Sequence, residues 1–200
     1  MRIIELRKKI GSTDLYVPDL YIEHGKIHGL TGHNGCGKTT LLKLIMGITP
    51  PDSGTIDYEG LNPTDITMTS QRPYLMHTSV YENIIYPLKL RGMKINQGEI
   101  DALLERTGLI DQKQQYAGSL SSGERQKLSF LRAIIFHPAL IMLDETLSNL
   151  DPDSEAIFRK IILERRAEDG STWLIVSHQQ DRLNSLFDET HVMEKGRVIS

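Results

Sequence analysis

The stretch that decides the fold is TGHNGCGKTTLLKLI, residues 31–45. Gly32, Gly37, Lys38 and Thr39 have the spacing of the phosphate-binding loop G-x-x-x-x-G-K-[ST], in which glycines let backbone N–H groups turn inward around a phosphate. A helix that begins near Gly37 would add its positive end, because the first N–H groups of a helix lack partners within it. The stretch predicts that Lys38 reaches the β- and γ-phosphates of a nucleotide and that Thr39 holds Mg²⁺. The alternative is a glycine-rich turn that caps an ordinary helix.

The segments around this stretch favour phosphate binding over a simple turn. A strand-like run, KIHGL, precedes it, and other short apolar runs that are typical of buried strands follow at 139–143, 172–177 and 191–194. Helical spacing follows three of these runs, at 38–46, 152–166 and 180–187. Strands that alternate with helices predict an α/β domain with a mostly parallel sheet.

The pattern changes in the middle of the chain. Between about residues 74 and 132 the sequence has helical periodicity and no clear strand. We therefore predict one domain over residues 1–200, with a core of about 1–73 and 133–200 and an inserted helical subdomain of about 74–132.

An acidic pair, Asp144-Glu145, follows the apolar run at 139–143. Carboxylates at the carboxyl end of a strand lie where open α/β sheets bind ligands. Asp144 is therefore predicted to hold Mg²⁺, and Glu145 to polarise a water for attack on the γ-phosphate. Taken alone, such a pair is also typical of an acidic loop.

Composition limits the surroundings in which the chain can work. The net charge is −3, from 23 basic and 26 acidic residues, and no basic stripe is present, so bulk nucleic-acid binding is not expected. The single cysteine and the N-terminus, which lacks the features of a secretory signal, predict a cytoplasmic protein. No apolar run approaches the roughly 18 residues that span a bilayer, so we expect any role at a membrane to come through a partner.

Six motifs, in order, resemble those of the ATP-binding subunits of ATP-binding cassette (ABC) transporters. They are GHNGCGKT at 32–39, TSQRPY at 69–74, LSSGERQ at 120–126, LIMLDE at 140–145, SNLD at 148–151 and VSH at 176–178. The resemblance implies the ABC ATPase fold, which is a P-loop NTPase core with an inserted helical subdomain. It also implies ATP hydrolysis, with ATP and Mg²⁺ as cofactors.

The resemblance implies roles for residues outside the phosphate loop. Gln71 would contact Mg²⁺ and the attacking water, and His178 would contact the γ-phosphate. Ser121, Ser122 and Gly123 would close over the ATP held by a second copy of the chain, although a serine at this position can also be only a helix cap. The remaining residues that it places against the nucleotide are Asn34, Gly35, Cys36, Thr40 and Asp151.

The same resemblance implies partners. Two copies would form a head-to-tail dimer around ATP and would dock an integral membrane permease on the inner face of the membrane. The expected docking surface is Tyr74, Leu75 and Met76, followed by the helix from Ser79, and local core packing of these residues is the alternative. Several features resemble import systems, in which a solute-binding protein is a further expected partner and small oxyanions are one candidate cargo. Two alternatives remain: a soluble, non-transport ABC-type ATPase, and a nucleotide-sensing module that hydrolyses weakly.

Two departures from the family pattern carry expectations. Ser122 stands where glycine is usual, and if the position needs a positive φ, serine costs about 1 kcal/mol. The family stacks an aromatic residue on adenine near Lys9 or Ile10, and neither side chain can stack. Tyr16 is the nearest aromatic residue.

Overall fold

A nine-stranded sheet forms the centre of the computed structural model, which describes residues 1–11, 13–148, 150–178 and 183–199. The strand order is β4-β1-β2-β9-β8-β3-β7-β6-β5. The strands are β1 Arg2–Ile10, β2 Thr13–Tyr21, β3 Ile27–Thr31, β4 Ser53–Asp57, β5 Ile66–Thr69, β6 Leu140–Asp144, β7 Thr172–Ser177, β8 Glu189–Glu194 and β9 Arg197–Val198. The helices are α1 Lys38–Ile45, α2 Val80–Leu90, α3 Gln97–Thr107, α4 Ser122–Ile134 and α5 Pro152–Asp169.

Five neighbouring strands, β8, β3, β7, β6 and β5, pair in parallel. Every residue of β3, β6 and β7 is buried, which explains why these strands lack the alternation of polar and apolar residues. The four strands predicted from the sequence correspond to β3, β6, β7 and β8, so the prediction of a mostly parallel α/β sheet is confirmed. Their register brings the carboxyl ends of β3, β7 and β6 to one edge.

The other side of the sheet is an antiparallel unit that we did not predict. β1 pairs in antiparallel fashion with both β2 and β4. The register with β4 shifts between Ile4 and Arg7, and Glu5 in that interval has a φ of 50°. This irregularity breaks the period of two in β1, which hides the strand from a search for alternation.

Three helices, α2, α3 and α4, lie between β5 and β6 in the chain, as the helical periodicity predicted. No strand is assigned between β5 and β6, a segment described throughout. The limits of a separate subdomain at 74 and 132 remain a prediction. The helix predicted at 180–187 lies partly outside the described residues, and its described portion contains Leu183, which is helical, and the short 3₁₀ helix Asn184–Leu186.

Helices cover both faces of the parallel strands and form two buried clusters. Trp173 and Ile175 of β7 point to the cluster that contains Phe130 of α4 and Phe158 of α5, whose rings stack 4.0 Å apart. Leu174 and Val176 of the same strand point to the other cluster, with α1. Because α1 packs on one face and α4 and α5 on the other, the loops at the carboxyl edge have a rigid support. None of the helices in the described ranges combines the length and the apolar character needed to cross a membrane.

Candidate nucleotide-binding site

The loop between β3 and α1 depends on glycine at two points. Gly32 has a φ of 148° and Gly37 a φ of 112°, values that residues with a side chain rarely adopt. A Cβ on Gly32 would also collide with the backbone carbonyl of Met193 in β8, and a Cβ on Gly37 would lie 2.9 Å from the Cε of Met193. The glycines therefore let the loop curl and also let β8 pass directly behind it.

The ammonium group of Lys38 lies inside this curl. Its Nζ donates hydrogen bonds to the carbonyl of Gly32 at 2.6 Å and to that of His33 at 3.1 Å. The residue is 6% exposed. A fixed positive charge is thus held within the loop, as phosphate binding requires.

Two of the three predicted Mg²⁺ ligands, Thr39 and Asp144, lie side by side, although 105 positions separate them. The hydroxyl of Thr39 donates to Asp144 Oδ2 at 2.8 Å and lies 3.1 Å from Oδ1. Burial, with the neighbouring charge of Glu145, raises the pKa of the Asp144 carboxyl above its ordinary value, and the Thr39 hydrogen bond opposes this shift. A carboxylate and a hydroxyl are oxygen donors of the kind that Mg²⁺ prefers, and a cation here would offset the cost of the buried charge.

Glu145 is held in an unusual conformation by its neighbours. Its φ is 55°, a region that costs a residue with a side chain on the order of 1 kcal/mol or more. Oε2 accepts hydrogen bonds from Ser148 Oγ and from His178 Nδ1, both at 2.7 Å. Oε1 is buried and has no hydrogen-bond partner among the described residues. One carboxylate oxygen is therefore anchored, while the other has an unused capacity to accept a hydrogen bond.

These groups line one cleft of about 400 Å³. The predicted residues that it contains are Asn34, Gly35, Gly37, Lys38, Thr39, Thr40, Gln71, Asp144 and Glu145. Ile10 also lines the cleft, which puts an aliphatic side chain close to the place where the family pattern led us to expect an aromatic one. The hydroxyl of Tyr16 instead donates to Glu5 at 2.8 Å, and its ring packs under the Arg7 guanidinium outside the cleft.

Other predicted residues of the site lie behind or beside this cleft. His178 lines an adjoining cleft that shares Asn34 with the first. Cys36 is buried, and its N–H donates to the carbonyl of His33 at 3.2 Å. Asp151 caps α5 by accepting hydrogen bonds from Ser154, and these bonds lower the pKa of its carboxyl. In the single chain Cys36 and Asp151 thus make local contacts, and their contact with a nucleotide remains a prediction.

Ser121, Ser122 and Gly123 lie at the start of α4, away from the first cleft. Ser121 Oγ accepts from the N–H of Glu124, and Glu124 accepts from the N–H of Ser121, which forms a reciprocal cap. Ser122 is the first residue of α4 and its φ is not positive, so the strain that we considered for serine at this position does not arise. Ser122 and Gly123 line a second cleft of about 490 Å³ together with Gln71.

Ser148 belongs to the site, but the sequence analysis gave it no role of its own. It lies in the SNLD motif, but no local pattern indicates that its hydroxyl donates to Glu145. The only feature of the sequence that could have indicated this contact is the position of the Ser148 hydroxyl, three residues after the predicted general base Glu145.

Comparison with known proteins gives concordant results. The ABC transporter family model matches residues 16–148. The tungstate uptake system ATP-binding protein TupC of Peptoclostridium acidaminophilum is 39% identical over 194 residues, covering 94% of this chain and 91% of that protein. The methionine import ATP-binding protein MetN of Nocardia farcinica is 33% identical over 202 residues, and the chain spans only 60% of its length.

Solved structures show the same architecture. An ATP-binding subunit of an ABC transporter matches all of this chain and 88% of its own, with a TM-score of 0.89 and 22% identity, which supports the fold alone. CbiO1 of Clostridium perfringens, part of the ABC transporter complex cbiONQ, matches with a TM-score of 0.79 and 28% identity over all of this chain and 86% of its own.

Proposed function

The chain belongs to the ABC transporter family, as the ATP-hydrolysing subunit of an import system, and we propose that the cleft between the β3–α1 loop and the end of β6 is where it binds and hydrolyses Mg-ATP. The observation that carries this proposal is the side chain of Glu145, which lines the same cleft as Lys38, Thr39 and Asp144 and whose buried Oε1 has no hydrogen-bond partner among the described residues.

Binding is assigned to the loop and to the start of α1. The backbone N–H groups of the loop and the Lys38 ammonium would hold the β- and γ-phosphates. Thr39 and Asp144 would hold Mg²⁺, which neutralises charge on the phosphates when it is bound. The Ile10 side chain would contact the base by apolar packing, because it cannot stack as an aromatic ring would.

Hydrolysis is assigned to Glu145. A water that donates a hydrogen bond to Oε1 would attack the γ-phosphorus, and its proton would move toward the carboxylate as the bond to ADP breaks. Ser148 and His178 hold Oε2, so the carboxylate cannot rotate away from this water. Gln71, at the mouth of the cleft, would position the same water, and His178 would contact the γ-phosphate.

The start of α4 is proposed to complete the site of a second copy. The first N–H groups of a helix have no partners within it and carry a partial positive charge, so those of Ser122 and Gly123 suit a γ-phosphate presented from outside. Gln71 lines both this second cleft and the nucleotide cleft, and so connects the two surfaces. A head-to-tail dimer would place each α4 start over the ATP of the other copy.

Ser121→Arg tests this dimer. The bulky cation would block approach of the second copy, so we expect each chain to bind ATP with unchanged affinity while hydrolysis falls at least about 10-fold. In a Glu145→Gln background, size-exclusion chromatography with Mg-ATP should show a dimer that Ser121→Arg converts to monomer. Ser53→Arg, at an exposed serine on edge strand β4, is the matched control and should change neither result. Normal turnover in Ser121→Arg would mean that the serine is only a helix cap.

A membrane permease is the proposed partner at an apolar groove of about 450 Å³. Tyr74, Tyr86 and Leu90 in this groove are 74%, 47% and 69% exposed, and a contiguous group of exposed apolar side chains marks an interaction surface. Met76 also lines the groove. Leu75 instead packs into the core, so its predicted place in the docking surface is wrong. Docking here would hold the chain on the cytoplasmic face of the membrane, and a solute-binding protein would act on the opposite face.

Leu90→Arg should prevent docking without disturbing the nucleotide cleft. Tagged protein purified from solubilised membranes is expected to lose a co-purifying multi-span membrane protein, while the ATPase activity of the isolated chain remains. Leu163→Arg is the matched control, because Leu163 is also exposed, at 48%, but lies on α5. Equal recovery of the membrane protein with both variants would exclude this groove as the docking surface.

A further inference from the structure

Three side chains that are able to bind a metal lie together away from the nucleotide cleft. His28 is on β3, and Glu189 and His191 are on β8. His28 pairs with Glu189 and Leu30 with His191 across these parallel strands. Because side chains alternate along a strand, this register puts all three on one face of the sheet. His28 is fully buried and His191 is 8% exposed, whereas Glu189 is partly exposed and gives access from solvent.

The distances between the ligand atoms are close to those of a tetrahedral zinc site. His28 Nδ1 lies 3.1 Å from His191 Nε2 and 3.6 Å from Glu189 Oε2. All three atoms lie within 4.8 Å of one another. Zn²⁺ with ligands at 2.0–2.1 Å separates neighbouring tetrahedral ligands by about 3.3 Å. The cluster therefore needs only small side-chain adjustments to enclose such an ion.

The hydrogen bonds around the cluster orient two of the three ligands toward its centre. His28 Nε2 lies 3.1 Å from the carbonyl of Glu23. A carbonyl only accepts, so Nε2 carries the hydrogen and the Nδ1 lone pair faces the cluster, an arrangement typical of metal-binding histidines. Glu189 Oε1 accepts from Lys26 Nζ at 2.7 Å, which leaves Oε2 turned toward His28.

We propose that His28, His191 and Glu189 form a binding site for a divalent transition metal, with Zn²⁺ as the preferred ion and water as the fourth ligand. Two imidazoles and one carboxylate suit Zn²⁺ and Co²⁺, whereas Mg²⁺ and Ca²⁺ require oxygen ligands. On binding, the His191 ring would carry its hydrogen on Nδ1, which releases the Nε2 lone pair that faces His28.

The site acts on the two strands that shape the phosphate loop. β3 leads directly into that loop, and Met193 of β8 passes behind Gly32. His28 lies three residues before the end of β3, about 10 Å along the strand, so metal and nucleotide do not compete for space. A metal that joins β3 to β8 would stabilise the folded chain and leave the nucleotide cleft open.

Titration of the metal-stripped, nucleotide-free protein with Co²⁺ and Zn²⁺ tests the site. We expect one Co²⁺ per chain with the visible absorption of tetrahedral coordination, displacement by Zn²⁺, and a higher melting temperature with Zn²⁺. Glu189→Gln and His191→Gln should each weaken binding at least 10-fold. Because Glu189 is partly exposed, Glu189→Gln keeps the test valid if the histidine variant fails to fold.

Two controls separate this site from other metal-binding positions. His24→Gln, at an exposed histidine four residues before His28, should bind Co²⁺ as the parent does. Asp144→Asn should also leave Co²⁺ binding intact, which separates this site from the proposed Mg²⁺ position. Absence of saturable binding, or equal affinity in the parent and Glu189→Gln, would overturn the proposal and leave the histidines as a hydrogen-bonded structural pair.

Discussion

Glu145→Gln is expected to lower the rate of ATP hydrolysis by about 10²-fold or more while ATP still binds, the usual scale for loss of a general base. The substitution keeps the shape of the side chain and removes its charge. Since Oε2 is anchored by Ser148 and His178, the change should fall on Oε1, the oxygen that we propose binds the attacking water. Single-turnover hydrolysis of radiolabelled ATP and a nucleotide-binding titration measure the two effects separately.

A matched control for Glu145→Gln is available at the end of β8. Glu194 is an exposed carboxylate in the cleft that adjoins His178, so Glu194→Gln removes a nearby negative charge without touching the water position. We expect its turnover to stay close to that of the parent. Comparable turnover in Glu145→Gln and the parent would show that another group activates the water.

Lys38→Ala is expected to lower the affinity for ATP itself by about 10- to 100-fold, the scale of a lost hydrogen bond to a charged group. Hydrolysis at saturating ATP should fall as well, because the ammonium also offsets charge on the γ-phosphate. The carbonyls of Gly32 and His33 would lose their donor, so the empty loop should become less rigid. Isothermal titration with ATP and with ADP measures the change.

Lys43→Ala is the control for Lys38→Ala. Lys43 lies on the same helix, in its last turn, and is exposed. Lys43→Ala changes the net charge by the same amount as Lys38→Ala but leaves the loop intact. ATP affinity should therefore stay within about 2-fold of the parent. If the two lysine variants bind ATP equally well, the loop is not where the phosphates lie. Glu145→Gln and Lys38→Ala together separate hydrolysis from binding, because only the second should affect binding.

Local patterns in the sequence were sufficient for much of the fold and for the chemistry of the cleft. The loop from Gly32 to Thr39 is recognisable in the sequence because its residues lie in one short segment at a fixed spacing. The buried strands β3, β6 and β7 are short apolar runs, and α5 begins at a cap followed by proline, signals that depend only on near neighbours.

Only the tertiary structure determined how the separate motifs meet. Thr39 and Asp144 are 105 positions apart and bond because β3 and β6 both flank β7, which brings their carboxyl ends to one edge. Glu145 meets His178 across 33 positions for the same reason. The local sequence around each strand does not indicate such pairings, since strand register depends on the packing of the whole sheet.

The tertiary structure also decided which predicted residues are accessible. Leu75 and Cys36 are buried, while Leu90 is exposed. All three have apolar side chains, and their neighbours in the sequence do not indicate which of them is exposed. The sequence by itself determined which residue types could bind phosphate, magnesium and water. Their orientation depends on contacts between segments that are far apart in the chain, such as the contact of Glu145 Oε2 with His178, and those contacts form only when the sheet folds.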